Sequence, residues 1–365
     1  MSEIATRASI RSKTGIYVNE SGDTNDVRCP RYSTLDYTPN LNVSGSFLDN
    51  QLVPLDNISN PLINPSFQTF TPNPQRECLA AEMRNGRIVL ADHNFAGIRV
   101  FNTTTNTFSY HTNIIANARS FGSSISGNLM YTMGNNVGRM QIINTDNITV
   151  TELTPASCYT ECGECVGRTY WVYVDGAGSR PFNMDTNSFG TTVNSTQFNC
   201  NTSAVLGNNV YIGGSSTAVV RMHNTTNNTF TGINVPSVSM CQAVIADPVR
   251  NAVYVVCRIS SIAPSGFRLV RISGTTVTHN IALSGSGNYI STGVVENDRL
   301  WFFDMQNGTS YGTLGWVINL NTFSQERHIT GLTGRGRRAK WFLNGLIYMH
   351  DRHTGIIEVI NPATY

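Results

Sequence analysis

Residues 85–112 read NGRIVLADHNFAGIRVFNTTTNTFSYHT. An apolar run, Ile88 to Ala91, follows the Asn85-Gly86 pair and ends at Asp92. A second run, Ile98 to Phe101, follows Gly97 and ends in Asn102-Thr103. A third, polar-alternating run begins at Thr107. Apolar runs of this length, separated by Gly, Asn and Asp, predict strands joined by tight turns, since those residues tolerate positive φ.

The phrase returns six more times. Measured at Gly86, Gly127, Gly167, Gly207, Asn251, Asp298 and Gly345, the steps are 41, 40, 40, 44, 47 and 47 residues. The strand after each marker falls at 88–91, 129–133, 170–174, 210–212, 253–257, 300–303 and 346–349. Each following strand ends in a second recurring turn, as at Asn102-Thr103, Asn144-Thr145, Asn224-Thr225 and Asn319-Leu320. A four-stranded unit repeated every 40-odd residues is the signature of a propeller blade. The expectation is therefore an all-β, seven-bladed β-propeller over 66–365. The last unit stops at Tyr365, one strand short. Residues 66–71 (SFQTFT) resemble the fourth-strand segment 228–231 (NTFT), so they are expected to complete the last blade beside 356–360.

Residues 1–65 carry no blade phrase. Their apolar islands, such as Ile16-Tyr17-Val18 and Leu62-Ile63, are too sparse for a core. Ordering a residue costs roughly 1–2 kcal/mol of backbone entropy. This stretch is expected to be an extended arm that orders on a neighbouring subunit.

Charged residues are 13% of the chain and the net charge is +2, which gives no electrostatic case for nucleic acid. No stretch approaches the ~18 apolar residues of a membrane span. The first residues lack an apolar signal region, so the chain is expected to remain where it is made or to leave within a larger assembly. Asn and Thr each occur 40 times; Arg occurs 23 times but Lys only twice, at Lys13 and Lys340. Ten Asn-x-Ser/Thr triplets with x other than Pro, among them Asn102, Asn147, Asn224 and Asn227, are read as products of this composition rather than as glycosylation sites.

Candidate chemistry collects at one face. Asp92, Asp304 and Asp351 end the second strands of three blades adjacent in the closed ring, with His93, His350 and His353 nearby in sequence. Such carboxylates could bind a cation or a basic group, or act as acid and base; the competing reading is that each caps a turn. Arg337 and Arg338 lie in a basic cluster between blades 6 and 7, and Arg76 holds a comparable inter-blade position. They could recognise carboxylates, phosphates or acidic sugars, meet an acidic neighbour, or be solvated. Arg258 and Tyr311 mark the two longest strand 2–3 connections and are candidate contact residues. Cys78, Cys200 and Cys241 hold matching first-strand positions, as buried apolar thiols. Cys158, Cys162 and Cys165 are read as structural thiols, with a metal site as the alternative. No cofactor is implied, and no phosphate loop, zinc helix or nucleophile elbow is present.

The segments 85–108 (NGRIV…NTTTNTF) and 208–230 (NNVY…NTTNNTF) resemble YVTN-type repeats and Kelch-like propellers. Such repeats recur in proteins of tailed phages and large DNA viruses. With the composition and the arm, the resemblance implies a non-enzymatic virion structural protein, capsid- or tail-associated, whose arm docks on other virion proteins in a symmetric assembly. The propeller would be displayed for host attachment, with a host glycan or receptor as second partner. The alternative is a glycan-binding or glycan-active propeller using the Asp92/Asp304/Asp351 mouth.

Overall fold

The computed structural model describes residues 67–364 except 93–96, 112–119, 135–139, 154–159, 175–177, 195–199, 201, 215–217, 261–264, 288, 306–314 and 330–336, together with 17–18 and 27–28. The chain divides into two units, Met1–Pro61 and Leu62–Tyr365. In the first, Tyr17–Val18 pairs with Val27–Arg28 in a short antiparallel ladder. The docking role expected of 1–65 otherwise falls outside the described residues.

The second unit is a seven-bladed propeller of antiparallel sheets. Blade 1 runs Cys78–Arg84, Arg87–Asp92, Ile98–Asn102 and Thr107–His111, each strand bonded to the next. Blades 2, 4, 5 and 6 repeat that order. In blade 3 the outer strand is broken into Ser188–Phe189 and Val193–Asn194, both paired with Gly178–Asn183. Blade 7 takes three strands from the C-terminal end, and its fourth is Phe67–Phe70, paired antiparallel with Ile357–Ile360 from Phe67↔Ile360 to Phe70↔Ile357. The closure expected from the sequence is thus present, and no blade is left short of a strand.

The repeat owes its regularity to its turns. Asn102, Asn144, Asn183, Asn224 and Asn319 end the third strands of their blades. Each Oδ1 accepts the backbone N–H groups two and three residues on, at 2.8–3.4 Å. This is the local capping that short polar side chains offer. The next residue, Thr103, Thr145, Met184, Thr225 or Leu320, donates its N–H to the carbonyl at the neighbouring hairpin turn, at 2.7–3.0 Å. Two turns of one blade are thereby tied together. The turn closes with a residue in the left-handed region: Asn106, Ile148, Asn187, Asn228 or Phe323, at φ 50–56°. Two of the Asn-x-Thr triplets, at Asn102 and Asn224, are these caps.

First strands lie side by side from blade 1 through to blade 7. In six of the seven blades the pairing of first and second strands slips by one residue, for example between Cys78 and Ala80, Cys241 and Ala243, and Ala339 and Trp341. Such bulges bend a strand and raise its twist. The core lies between blades. Trp171, Trp301, Trp316 and Trp341 are all buried in it, as their strand positions imply.

Between blades 3 and 4, His223 is fully buried. Its Nδ1 lies 3.1 Å from the Tyr173 hydroxyl. The ring stacks on Phe230 at 4.4 Å and meets Trp171 edge-on at 4.6 Å. Burial lowers its pKa from 6.5 to about 4. The unfolded chain binds this proton near pH 6.5 and the folded chain does not. Stability is therefore full above pH 6.5 and falls as the pH drops from there towards 4. A His223→Phe variant is expected to lose that part of the acid sensitivity, read as a smaller drop in thermal midpoint between pH 7 and pH 4.5. An unchanged drop would mean that His223 is not the responsible group.

Candidate functional site: the junction of blades 7 and 1

The second strand of blade 1 ends at Asp92, whose backbone N–H closes its hairpin on the Gly97 carbonyl at 3.1 Å. Its carboxylate points inward and is 1% exposed. Arg99, on the adjacent strand, places Nε and Nη2 each 2.6 Å from Asp92 Oδ1. The same guanidinium leaves the blade. Its Nη1 donates to the Thr354 carbonyl at 2.9 Å and Nη2 to the Arg76 carbonyl at 2.7 Å. Thr354 belongs to the strand 2–3 turn of blade 7, and Arg76 to the segment entering blade 1. One buried side chain thus holds three pieces of chain.

Backbone bonds reinforce the junction. Arg76 and Cys78 donate their N–H groups to the carbonyls of Thr354 and Arg352, at 3.1 and 2.6 Å. The Arg76 guanidinium lies 3.9 Å from Asp92 Oδ2, bonds the Tyr110 hydroxyl, and sits over the Tyr110 ring at 5.1 Å. Burial pushes the Asp92 carboxyl above its ordinary range, and the charges and hydrogen bond of Arg99 and Arg76 pull against it.

Asp351 ends the facing strand of blade 7. Its Oδ1 accepts the N–H groups of His353 and Thr354, at 2.8 and 3.3 Å. The carboxylate therefore caps the turn that presents Thr354 to Arg99. Gly355 completes that turn at φ +70°, and a Cβ there would lie 2.2–2.5 Å from Arg99. His350 is buried beside Trp341, and His353 accepts a 3.1 Å hydrogen bond from Arg352 Nε.

The structure thus brings together three sequence candidates, Arg76, Asp92 and Asp351, and joins them through Arg99, Tyr110 and Gly355. Sequence reasoning passed over Arg99. The signal was there: a guanidinium at the second position of the apolar run Ile98-Arg99-Val100-Phe101. Arg258 is elsewhere and is not a loop contact residue. It is the last residue of Ala252–Arg258, opposite Met240, and is 0% exposed. Its strand runs to that residue because the Arg258 carbonyl accepts the Ser239 N–H at 2.8 Å. His93 and Tyr311 lie outside the described residues, as do the side chains of Asp304, Arg337 and Arg338.

The cysteine readings need correcting. Cys162 is bonded to Cys200 across blades 3 and 4, with Cα atoms 6.1 Å apart, so neither is a thiol or a thiolate ligand. Spacing alone could not pair two residues 38 apart on different blades. Cys165 is free, and burial pushes its thiol up to about 12, which suits neither metal binding nor nucleophilic attack at neutral pH. Cys158 lies outside the described residues. A second polar network links first strands: Ser123 Oγ donates to Glu82 at 2.9 Å, and Ser124 and Ser203 both donate to Glu164, at 3.3 and 2.8 Å.

No protein-family model matches this chain, and no curated protein is recognisably similar to it in sequence. Solved structures do resemble it. Virginiamycin B lyase from Staphylococcus aureus superposes with a TM-score of 0.65 at 12% identity, covering 81% of this chain and 98% of its own. Hydrazine synthase of Kuenenia stuttgartiensis gives 0.64 at 10% identity, covering 80% and 97%. The Cps50 (Swd1) propeller domain of Myceliophteria thermophila gives 0.61 at 8%, covering 81% and 99%. At these identities the likeness is one of fold alone.

Removing one partner of a buried ion pair strands the other. An Arg99→Met variant is expected to lose about 3–5 kcal/mol of stability in urea unfolding. Gly355→Ala is expected to destabilise by crowding the same guanidinium. Arg168→Met, which breaks only the exposed pair with Asp185, should leave the midpoint essentially unchanged. Equal effects for Arg99 and Arg168 would remove the clasp from this account.

Proposed function

We propose that this chain is a non-catalytic structural and interaction module of a larger assembly, most simply a virion. In this reading the propeller is a rigid display platform and residues 1–65 dock it on neighbouring subunits. The observation that carries it is the fate of the mouth residues. Asp92 is committed to Arg99 and Asp351 to a turn, and they are 1% and 2% exposed. A glycan-active or glycan-binding mouth needs carboxylates that reach solvent, so the alternative draws no support from these two positions. Asp92 and Asp351 serve closure, which favours a platform built for stiffness.

The arm supports the assembly part of the reading through its composition: short apolar islands in a polar chain gain order only against a partner surface. The viral setting rests on the resemblance of the repeats and on the Asn/Thr-rich, Lys-poor composition. With only Lys13 and Lys340 in the chain, amine cross-linking gives a simple readout. In particles that carry the protein, Lys13 is expected to cross-link to other chains. A protein that purifies as a monomer, with Lys13 joined only to Lys340 of the same molecule, would overturn the docking role.

A further inference from the structure

Blade 5 contains a pair of cysteines that neither the fold nor the candidate site explains. Cys241 is on the first strand, Met240–Asp247, and Cys257 on the second, Ala252–Arg258. They are direct cross-strand partners, and their sulfur atoms are 3.3 Å apart. Both are 0% exposed, in the apolar cluster that includes Tyr211, Val244, Val255 and Val270. We propose that Cys241 and Cys257 are a disulfide site, and that the mature protein carries this bond as a second bridge beside Cys162–Cys200.

The geometry carries the inference. Opposed residues of an antiparallel pair have Cα atoms about 4.5–5.5 Å apart, within the roughly 4.4–6.8 Å span of disulfides. The sulfur atoms need to approach by about 1.2 Å to reach a bond of about 2.05 Å. The pairing slips immediately after Cys241, leaving Gln242 without a cross-strand partner. A bulge at that point gives the first strand freedom to let the sulfur atoms close.

The oxidant is a small-molecule disulfide of the glutathione type. One cysteine thiolate attacks a sulfur of the oxidant, giving a mixed disulfide and releasing one thiolate. The second cysteine, having lost its proton to solvent, attacks the protein-bound sulfur and expels the other thiolate. Two thiols are oxidised by two electrons, and one disulfide is reduced to two thiols. The mixed disulfide does not fit a site with no exposure, and burial holds the Cys257 thiol well above its ordinary range. Bond formation therefore belongs to the stage before blade 5 closes. The separation of 16 residues within one hairpin makes that encounter local. Once blade 5 is closed, the bond is shielded from reductant.

The test is thiol trapping. Full-length protein folded in a glutathione redox buffer is denatured in iodoacetamide without reductant and digested with trypsin. Cleavage after Arg221, Arg250 and Arg258 puts Cys241 and Cys257 on separate peptides. A linked pair 222–250/251–258, which disappears on reduction, is the expected result. Alkylated Cys241 and Cys257, whether or not Cys162–Cys200 is linked, would overturn the proposal. Folding in the presence of reductant, compared with folding in the redox buffer, is further expected to lower the thermal midpoint of the parent more than that of a Cys257→Ala variant. Equal drops would count against the bond, and if the variant does not fold, the peptide measurement on the parent decides.

Discussion

Ring closure is the constraint on which this propeller depends. Seven twisted sheets arranged around an axis bury their faces only if the last meets the first. An open ring would expose the apolar faces of two blades and a free sheet edge, which invites association. The chain meets the requirement by lending Phe67–Phe70 to the blade built from its C-terminal end. That ladder supplies backbone bonds within blade 7 but does not by itself fix blade 7 against blade 1. Arg99 does this, with hydrogen bonds to Asp92, Arg76 and Thr354. A buried charge is costly unless fully paired, so the clasp holds only in the closed geometry. Its cost out of register makes it a specificity device as much as a stabilising one.

Much of this architecture was legible in the sequence because the turns are written in it. Positive-φ positions fall at the markers or beside them: Asn85 and Gly86, Gly127, Gly167, Gly207, Asn251, Asn297 next to Asp298, and Asn344 with Gly345. Closure was legible for the same reason, since a strand missing at Tyr365 had its counterpart near residue 66. The site was less legible. Asp92 and Asp351 were visible as strand-end carboxylates, but their partners are set by contacts between blades. Arg99 and Thr354 are 255 residues apart and meet only when the ring closes. Arg258 shows the complementary failure: a charged residue at a strand end reads as solvated, yet strand pairing carries it into the interior. Cysteine pairing failed likewise, because Cys162 sits on the first strand of blade 3 and Cys200 just before the first strand of blade 4.

The polar residues of this chain act mostly on the chain itself. Asn side chains cap third-strand turns. Thr103, Thr145 and Thr225 add hydroxyl bonds to the adjoining turn, at 2.8–3.1 Å. Glu82 and Glu164 join first strands through serines. Tyr211 reaches from blade 4 to the Gly274 carbonyl of blade 5 at 2.9 Å. A composition rich in Asn and Thr and poor in Lys is therefore matched by a structure in which short polar side chains satisfy backbone groups at the turns, where long cations would add little.

The seams between blades are not equivalent. Blades 3 and 4 are joined covalently through Cys162–Cys200. Blades 1 and 2 share Arg84 and Arg87 bonds to the Thr145–Asp146 turn, and blades 5 and 6 share Arg250 with Asp298 and the Asn297 carbonyl. Those ties are partly exposed and individually weak. The seam of blades 7 and 1 is different in kind. It joins segments from opposite ends of the propeller sequence, and its clasp is buried. Four residues of antiparallel ladder are a short anchor. A buried clasp, rather than another exposed ion pair, suits a seam whose last blade is closed by so short a ladder, because an exposed pair contributes little.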